Sequence, residues 1–188
     1  MEQANRTRAH LERILLVCGL QNAGKSRLLR HMLGDYRLNR QVPPQARFGF
    51  CALSRERCLA VRFTSPHERN ETPTDFHKKI DRTTERAWNN GFWRINFASA
   101  VQPRALNNMP DIVEVCEGLQ KAFAPERIRV VQLAPDQWGN FSSQLTNAEI
   151  DGLRKLEDVE VVAIDARRSN YPVEPGNVRI LADFFDFS

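Results

Sequence analysis

Apolar positions change period several times along the chain, and each change marks a new element. Ile14–Cys18 is a continuous apolar run, the pattern of a strand buried on both faces. After a glycine-containing turn, Leu28, Leu29, Met32 and Leu33 fall at helical spacing within Lys25–Leu33, and Gly34-Asp35 supplies a stop. Two strand-like runs, Phe48–Leu53 and Cys58–Phe63, flank the polar residues Ser54–Arg57 and predict a β-hairpin. The proline-bearing stretches Leu38–Arg47 and Thr64–Thr74 read as loops. Helix and strand patterns then alternate: helix Asp75–Trp88, strand Phe92–Phe97, helix Asp111–Phe123, strand Ile128–Leu133, helix Thr146–Leu156, strand Val159–Ile164 and a final helix Val178–Phe185. Pro110 and Asp111 suit a helix start, and Thr146 with Glu149 fits a capping box. The alternation predicts an α/β three-layer sandwich with a mostly parallel sheet, to which the hairpin adds one antiparallel edge strand.

Composition narrows the class. A chain of 188 residues, 41% hydrophobic and 27% charged, has the make-up of one soluble globular domain over 1–188, with a polar, basic leader at 1–10. The apolar run Ile14–Leu20 is far shorter than the roughly 20 residues that cross a bilayer, so no membrane span is expected. It also lacks a signal-peptide cleavage site. Cys18, Cys51, Cys58 and Cys116 show no CxxC spacing and no companion histidine cluster, so they read as reduced thiols of a cytoplasmic protein. His67 and His77 are too isolated to argue a metal site.

The chemistry lies in Gly19-Leu20-Gln21-Asn22-Ala23-Gly24-Lys25-Ser26, which matches GxxxxGK[ST] at every fixed position. Glycines let a backbone fold round phosphate oxygens with no Cβ in the way. Successive N–H groups then point inward, and the following helix adds its positive end. Lys25 would reach the β- and γ-phosphates, and the Ser26 hydroxyl would ligate Mg²⁺. The motif stands where this chemistry needs it, directly after an apolar strand and directly before a helix.

This loop resembles the phosphate loop of Ras- and Arf-like small GTPases. The element order is similar too: strand, loop, helix, hairpin, then alternating helices and strands. The C-terminal part, Ile128–Asp136, Leu145–Leu156 and Val159–Phe185, resembles small bacterial GTPases of the MglA and conservon type. There a strand ends in NKxD, and a later strand ends in a short "DAR" or "SAK" loop. The resemblance implies a P-loop NTPase fold and a GTP/GDP (or ATP/ADP) site with Mg²⁺, phosphate contacts coming from Gly19, Asn22, Ala23, Gly24, Lys25, Ser26 and Arg27. It also implies that Asp136 reads the guanine edge, and that Ala166 in Asp165-Ala166-Arg167 offers its N–H to the guanine oxygen.

The departures bear on activity. NKxD is replaced by Leu133-Ala134-Pro135-Asp136, so the lysine that packs over the base is gone. The place of DxxG is taken by Thr64-Ser65-Pro66-His67-Glu68, where Glu68 stands in the position of the water-orienting glutamine. Leu38–Arg47 has no threonine to complete the Mg²⁺ shell. Phosphoryl transfer depends on positioned charge and positioned water. The expectation is therefore a nucleotide-binding protein with slow or lost hydrolysis, in which Lys25 and Glu68 are the catalytic candidates and loops 38–47 and 64–74 engage a protein partner. A P-loop kinase is the alternative, with Lys78, Lys79, Arg82 and Arg86 binding the acceptor. Asp165, which ends an apolar run, has a second reading as a Mg²⁺-holding acid, and Trp88, Trp93 and Phe97 divide between core packing and an aromatic face.

Charge is unevenly spread. Residues 1–94 carry 18 basic and 9 acidic side chains and residues 95–188 carry 9 and 14, a net of +9 against −5. The basic half holds the phosphate loop, where positive potential raises the local anion concentration. A basic protein-docking face fits the same split. No nucleic-acid recognition motif accompanies it, so nucleic acid is not expected as a partner.

Overall fold

Side chains along β1 (His10–Cys18) divide between two cores. Ile14, Leu16 and Cys18 join one, while Leu15 and Val17 join the other. A strand with both faces covered is the central strand of a layered α/β domain, and the computed structural model, which describes residues 7–38, 50–140, 144–167 and 175–185, builds one round it. The elements are β1, α1 (Lys25–Met32), β2 (Phe50–Ala52), β3 (Arg57–Arg62), α2 (Pro73–Asn89), β4 (Arg94–Val101), α3 (Ile112–Phe123), β5 (Arg127–Leu133), α4 (Asn147–Arg154), β6 (Val159–Ile164) and α5 (Pro175–Ala182). A 3-10 turn at His67–Arg69 precedes α2.

The six strands lie in the order β2-β3-β4-β1-β5-β6. All neighbours pair in parallel except β2 and β3, which form the expected antiparallel hairpin at one edge, Phe50 facing Ala60 and Ala52 facing Cys58. One core takes Phe76, Ile80 and Ala87 of α2, Ile112, Val115 and Leu119 of α3 and Leu153 of α4. The other takes Leu28, Leu29 and Met32 of α1 and Leu181 of α5. Helices thus cover both faces, an arrangement compatible with a three-layer sandwich. Chain direction explains the division. Crossovers between parallel strands are right-handed, so α1, which carries the chain toward the β2 edge, lies on one face. The helices α2, α3 and α4, which carry it toward the β6 edge, lie on the other.

Several boundaries differ from the sequence reading, among them α5, which begins at Pro175 rather than Val178, and three of them have a clear local reason. β1 begins at His10, inside the expected leader at 1–10, because its polar half is held by partners: buried Glu12 accepts from Arg57 at 2.8 Å and ion-pairs with Arg94 at 3.3 Å. α2 begins two residues earlier than expected. Thr72 caps it, Pro73 fills its first position, and the Asp75 carboxylate accepts the Thr72 N–H in return, which is a capping box with aspartate in place of glutamate. β4 runs to Val101, farther than the aromatic pattern suggested, because its last positions are the small residues Ala98, Ser99 and Ala100 between two helix layers. Trp88 packs partly against a core, Phe97 is buried, and Trp93 is exposed. The four cysteines are buried free thiols. Among the described residues, no helix is long and apolar enough to cross a membrane.

Candidate functional site

In open α/β sheets, ligands bind beyond the carboxyl ends of the strands where neighbouring connections diverge. Here that point lies between β1 and β5. The chain leaves β1 toward the β2 edge and leaves β5 toward the β6 edge. The loops there are Gly19–Gly24 and Leu133–Asn140.

Backbone geometry makes the first loop a concave cradle. Asn22 (φ 63°) and Gly24 (φ 107°) are left-handed, and such residues among right-handed ones turn successive N–H groups to one side. Gly24 is also the N-cap of α1, and no side chain caps that helix end. Its first N–H groups therefore lack the usual intrahelical partners and carry the positive end of the dipole. The cradle is held from below and from the side. Val101 O accepts the Gly19 N–H at 3.3 Å, buried Gln144 accepts the Leu20 N–H through Oε1 at 2.7 Å, and the Gln137 N–H donates to Ala23 O at 3.0 Å. The Gln137 amide also donates to Asn22 O. Gly19 is close-packed: a Cβ there would lie 3.0 Å from the Ala23 Cβ, so a side chain would require the loop to shift by a few tenths of an ångström.

Lys25 is only 4% exposed. Its ammonium donates to Gly19 O at 2.9 Å and Leu20 O at 2.7 Å, and Glu68 Oε1 stands 3.4 Å away. Burial pulls its pKa below the ordinary lysine value, and the Glu68 carboxylate opposes that shift. The structure thus brings the two catalytic candidates together. The Ser26 hydroxyl donates to Phe63 O at 2.5 Å. Both lone pairs of that oxygen stay available to a cation, so Ser26 fits the role of Mg²⁺ ligand. Among the described residues, no group of three His, Cys, Asp or Glu could hold a metal alone. A Mg²⁺ here would draw the rest of its shell from phosphate oxygens and water.

The base-reading candidates are placed differently. Both carboxylate oxygens of Asp136 serve their own turn: Oδ1 accepts the N–H of Trp138 at 2.8 Å and of Asn140 at 3.1 Å, and Oδ2 accepts from the Asn140 amide at 3.0 Å. Burial pushes the Asp136 pKa up, but the Asn140 amide and these N–H groups outweigh it, so the value lies below the ordinary one. The Ala166 N–H donates to Pro135 O at 2.9 Å. Arg27 reaches Ala166 O at 2.8 Å and Arg167 O at 3.3 Å, so it ties α1 to the loop after β6. Arg167 closes on Asp165 and lowers that carboxyl's pKa. Asp165 directly follows β6, which lies two strands from β1 in the sheet. Of the basic residues on α2, Lys79 ion-pairs with Glu71 at 2.5 Å and Arg86 lies over the Phe50 ring. Loop 39–47, with Arg40 and Arg47, and Arg168 lie outside the described residues.

Sequence reasoning missed Gln137, Gln144 and His67. The glutamines sit in polar loops with no motif of their own. His67 is fully buried and joins three segments. Its Nε2 lies 2.9 Å from Pro110 O, its Nδ1 lies 3.4 Å from the Gln102 N and 3.3 Å from Ser65 Oγ, and its own carbonyl accepts from Asn107 at 2.7 Å. A carbonyl only accepts and a backbone N–H only donates, which assigns the neutral tautomer with the proton on Nε2. Burial holds its pKa below the ordinary 6.5, with the Pro110 carbonyl opposing. The unfolded chain therefore binds this proton at a pH where the folded chain does not. Its contribution to stability is complete above pH 6.5 and is lost as pH falls below that value. Melting curves between pH 7.5 and 5.0 should show a loss of stability in the wild type that is smaller in His67→Gln. Parallel curves would show that His67 contributes nothing to it.

A scan against protein-family models, a search of curated proteins and a search of solved structures each return no match.

Proposed function

We propose that the chain is a P-loop nucleotide-binding protein with slow or lost hydrolysis, acting as a switch or interaction subunit. The observation that carries this reading is the Gly19–Ser26 cradle, with left-handed Asn22 and Gly24 and a buried lysine in front of an uncapped helix end. The small-GTPase-like P-loop fold and the Mg²⁺–nucleotide ligand belong to the same proposal. Glu68 links nucleotide to loop: an incoming phosphate and this carboxylate compete for Lys25, so segment 64–74 responds to the phosphate. The same pairing supports slow turnover, because a carboxylate neutralised by Lys25 is a poor orienter of water.

Titration calorimetry with GTP, GDP, ATP and ADP, with and without Mg²⁺, tests the reading. Binding of at least one triphosphate is expected, with turnover below about 10⁻² s⁻¹, the range of unassisted GTPases. A rate matching an activated GTPase would refute slow hydrolysis. Binding of none of the four would refute the nucleotide site itself.

A further inference from the structure

A buried polar group without a partner is costly, so each one needs a reason. Among the described residues, two side-chain amides are buried with unpartnered atoms, Asn96 and Gln102. Asn96 lies inside β4, and six residues of strand, about 20 Å, separate it from Gln102. Gln102 directly follows the carboxyl end of that strand, and its amide Nε2 has no hydrogen-bond partner although the residue is only 6% exposed.

Strand order brings Gln102 to the cradle. β4, not β3, is the neighbour of β1 on that side. Cys18 pairs with Val101, and Val101 O accepts the Gly19 N–H at 3.3 Å, so Gln102 is one register step on, level with the first residue of the cradle. Its backbone N turns to the β3 side, 3.4 Å from His67 Nδ1, as it does when the strand geometry continues. Side chains of β4 alternate between the faces: Ile95, Phe97 and Val101 enter the core under α2 and α3, Ala98 and Ala100 the core under α1. Gln102 takes the side of Ala98 and Ala100, the face whose carboxyl end carries Lys25 and the uncapped start of α1. The residue after His67 is Glu68, whose carboxylate stands 3.4 Å from the Lys25 ammonium. Gln102 thus borders the lysine end of the cradle, where a P-loop lysine meets the terminal phosphate.

We propose that the Gln102 amide donates to the terminal phosphate of a bound nucleoside triphosphate, and so makes the site prefer triphosphate to diphosphate. The proposal rests on the nucleotide-binding reading above and adds the residue that tells the two ligands apart. A γ-phosphate oxygen supplies the acceptor that Nε2 lacks, whereas a diphosphate leaves the amide as it is.

Calorimetric titration of the wild type and of Gln102→Met with the Mg²⁺ complexes of ATP, ADP, GTP and GDP, beside melting curves of the free proteins, tests it. Methionine is an unbranched side chain of similar length with no donor. The wild type should bind a triphosphate at least about tenfold more tightly than its diphosphate. Gln102→Met should weaken the triphosphate by about 10- to 150-fold, the worth of one hydrogen bond to a charged group, and leave the diphosphate within about twofold. The melting temperature should hold or rise, because the substitution removes a buried donor that has no partner. Unchanged triphosphate affinity in Gln102→Met overturns the proposal. An equal loss for triphosphate and diphosphate also overturns it, and a lower melting temperature beside that loss would assign Gln102 to support of the loop. A wild type that binds diphosphate as tightly as triphosphate overturns it without any variant. In each of these cases nucleotide still binds and the reading above stands. If the wild type binds none of the four, that reading fails as well.

Discussion

Replacing Lys25 with alanine should weaken triphosphate binding by at least about 100-fold while leaving the fold in place. The affinity figure follows from the contacts the ammonium would make. A hydrogen bond to a charged group is worth about 1.5–3 kcal/mol, and a P-loop lysine reaches both the β- and the γ-phosphate. The stability figure follows from opposing terms. Lys25 is 4% exposed and its pKa is lowered by burial, so removing it relieves a desolvation cost. Against that, Gly19 O and Leu20 O each lose a donor and Glu68 loses its counter-charge. Glu68 is about a third exposed and hydrates readily once released. The melting temperature should therefore move by only a few degrees, about what 1 kcal/mol gives in a chain of this size. Calorimetry with Mg²⁺–ATP and Mg²⁺–GTP, paired with a thermal melt, separates the two effects. Retention of wild-type affinity would mean that the cradle does not hold a phosphate at Lys25.

The fold was readable wherever hydrophobic period decided the element. Among the described residues, all six strands and five α-helices overlap predicted ones, because apolar spacing marks the face each one buries. Polar residues hid the rest. The first half of β1 reads as solvent-facing because Glu12 is charged, yet Glu12 is buried against Arg94 of the adjacent β4 and Arg57 of β3 beyond it. No local pattern encodes a partner that lies dozens of residues away. The candidate site divides along the same line. The cradle was legible because it is continuous in sequence, and GxxxxGK[ST] names the backbone geometry directly. Its supports, Gln137 and Gln144, come from the loop after β5 and the segment before α4, and only strand order brings them to β1. The charge asymmetry changes meaning in the same way. Within the basic half, Arg57 and Arg94 meet Glu12, Arg62 meets Glu71, and Arg8 meets Asp81. These pairs join charges counted within the same half, so they leave the net of +9 unchanged; at the cradle itself the positive groups are Lys25 and the end of α1.

A methyl group at Gly24 should disable the cradle as completely as losing Lys25 does, and it should also lower stability. Gly24 has a left-handed φ of +107°, larger than the 63° of Asn22 and unfavourable for any residue with a side chain, and a Cβ there would lie 3.1 Å from the Gln137 Cβ. A non-glycine residue in a sparsely populated region costs about 1–3 kcal/mol. Gln137 cannot simply withdraw, since its N–H and side-chain amide hold Ala23 O and Asn22 O, and moving it releases the very residues whose N–H groups form the concavity. A melting temperature lower by about 2–12 °C is expected for Gly24→Ala, at about 2–4 °C per kcal/mol for this chain length, with no measurable triphosphate binding. Gly91→Ala is the control. It has a similar positive φ of +85° with nothing within 4 Å of a new Cβ, so it carries the backbone strain without the collision and stands away from the loop. It should lose some stability and no affinity. If Gly24→Ala matches Gly91→Ala in both measurements, the contact with Gln137 is not what shapes the cradle.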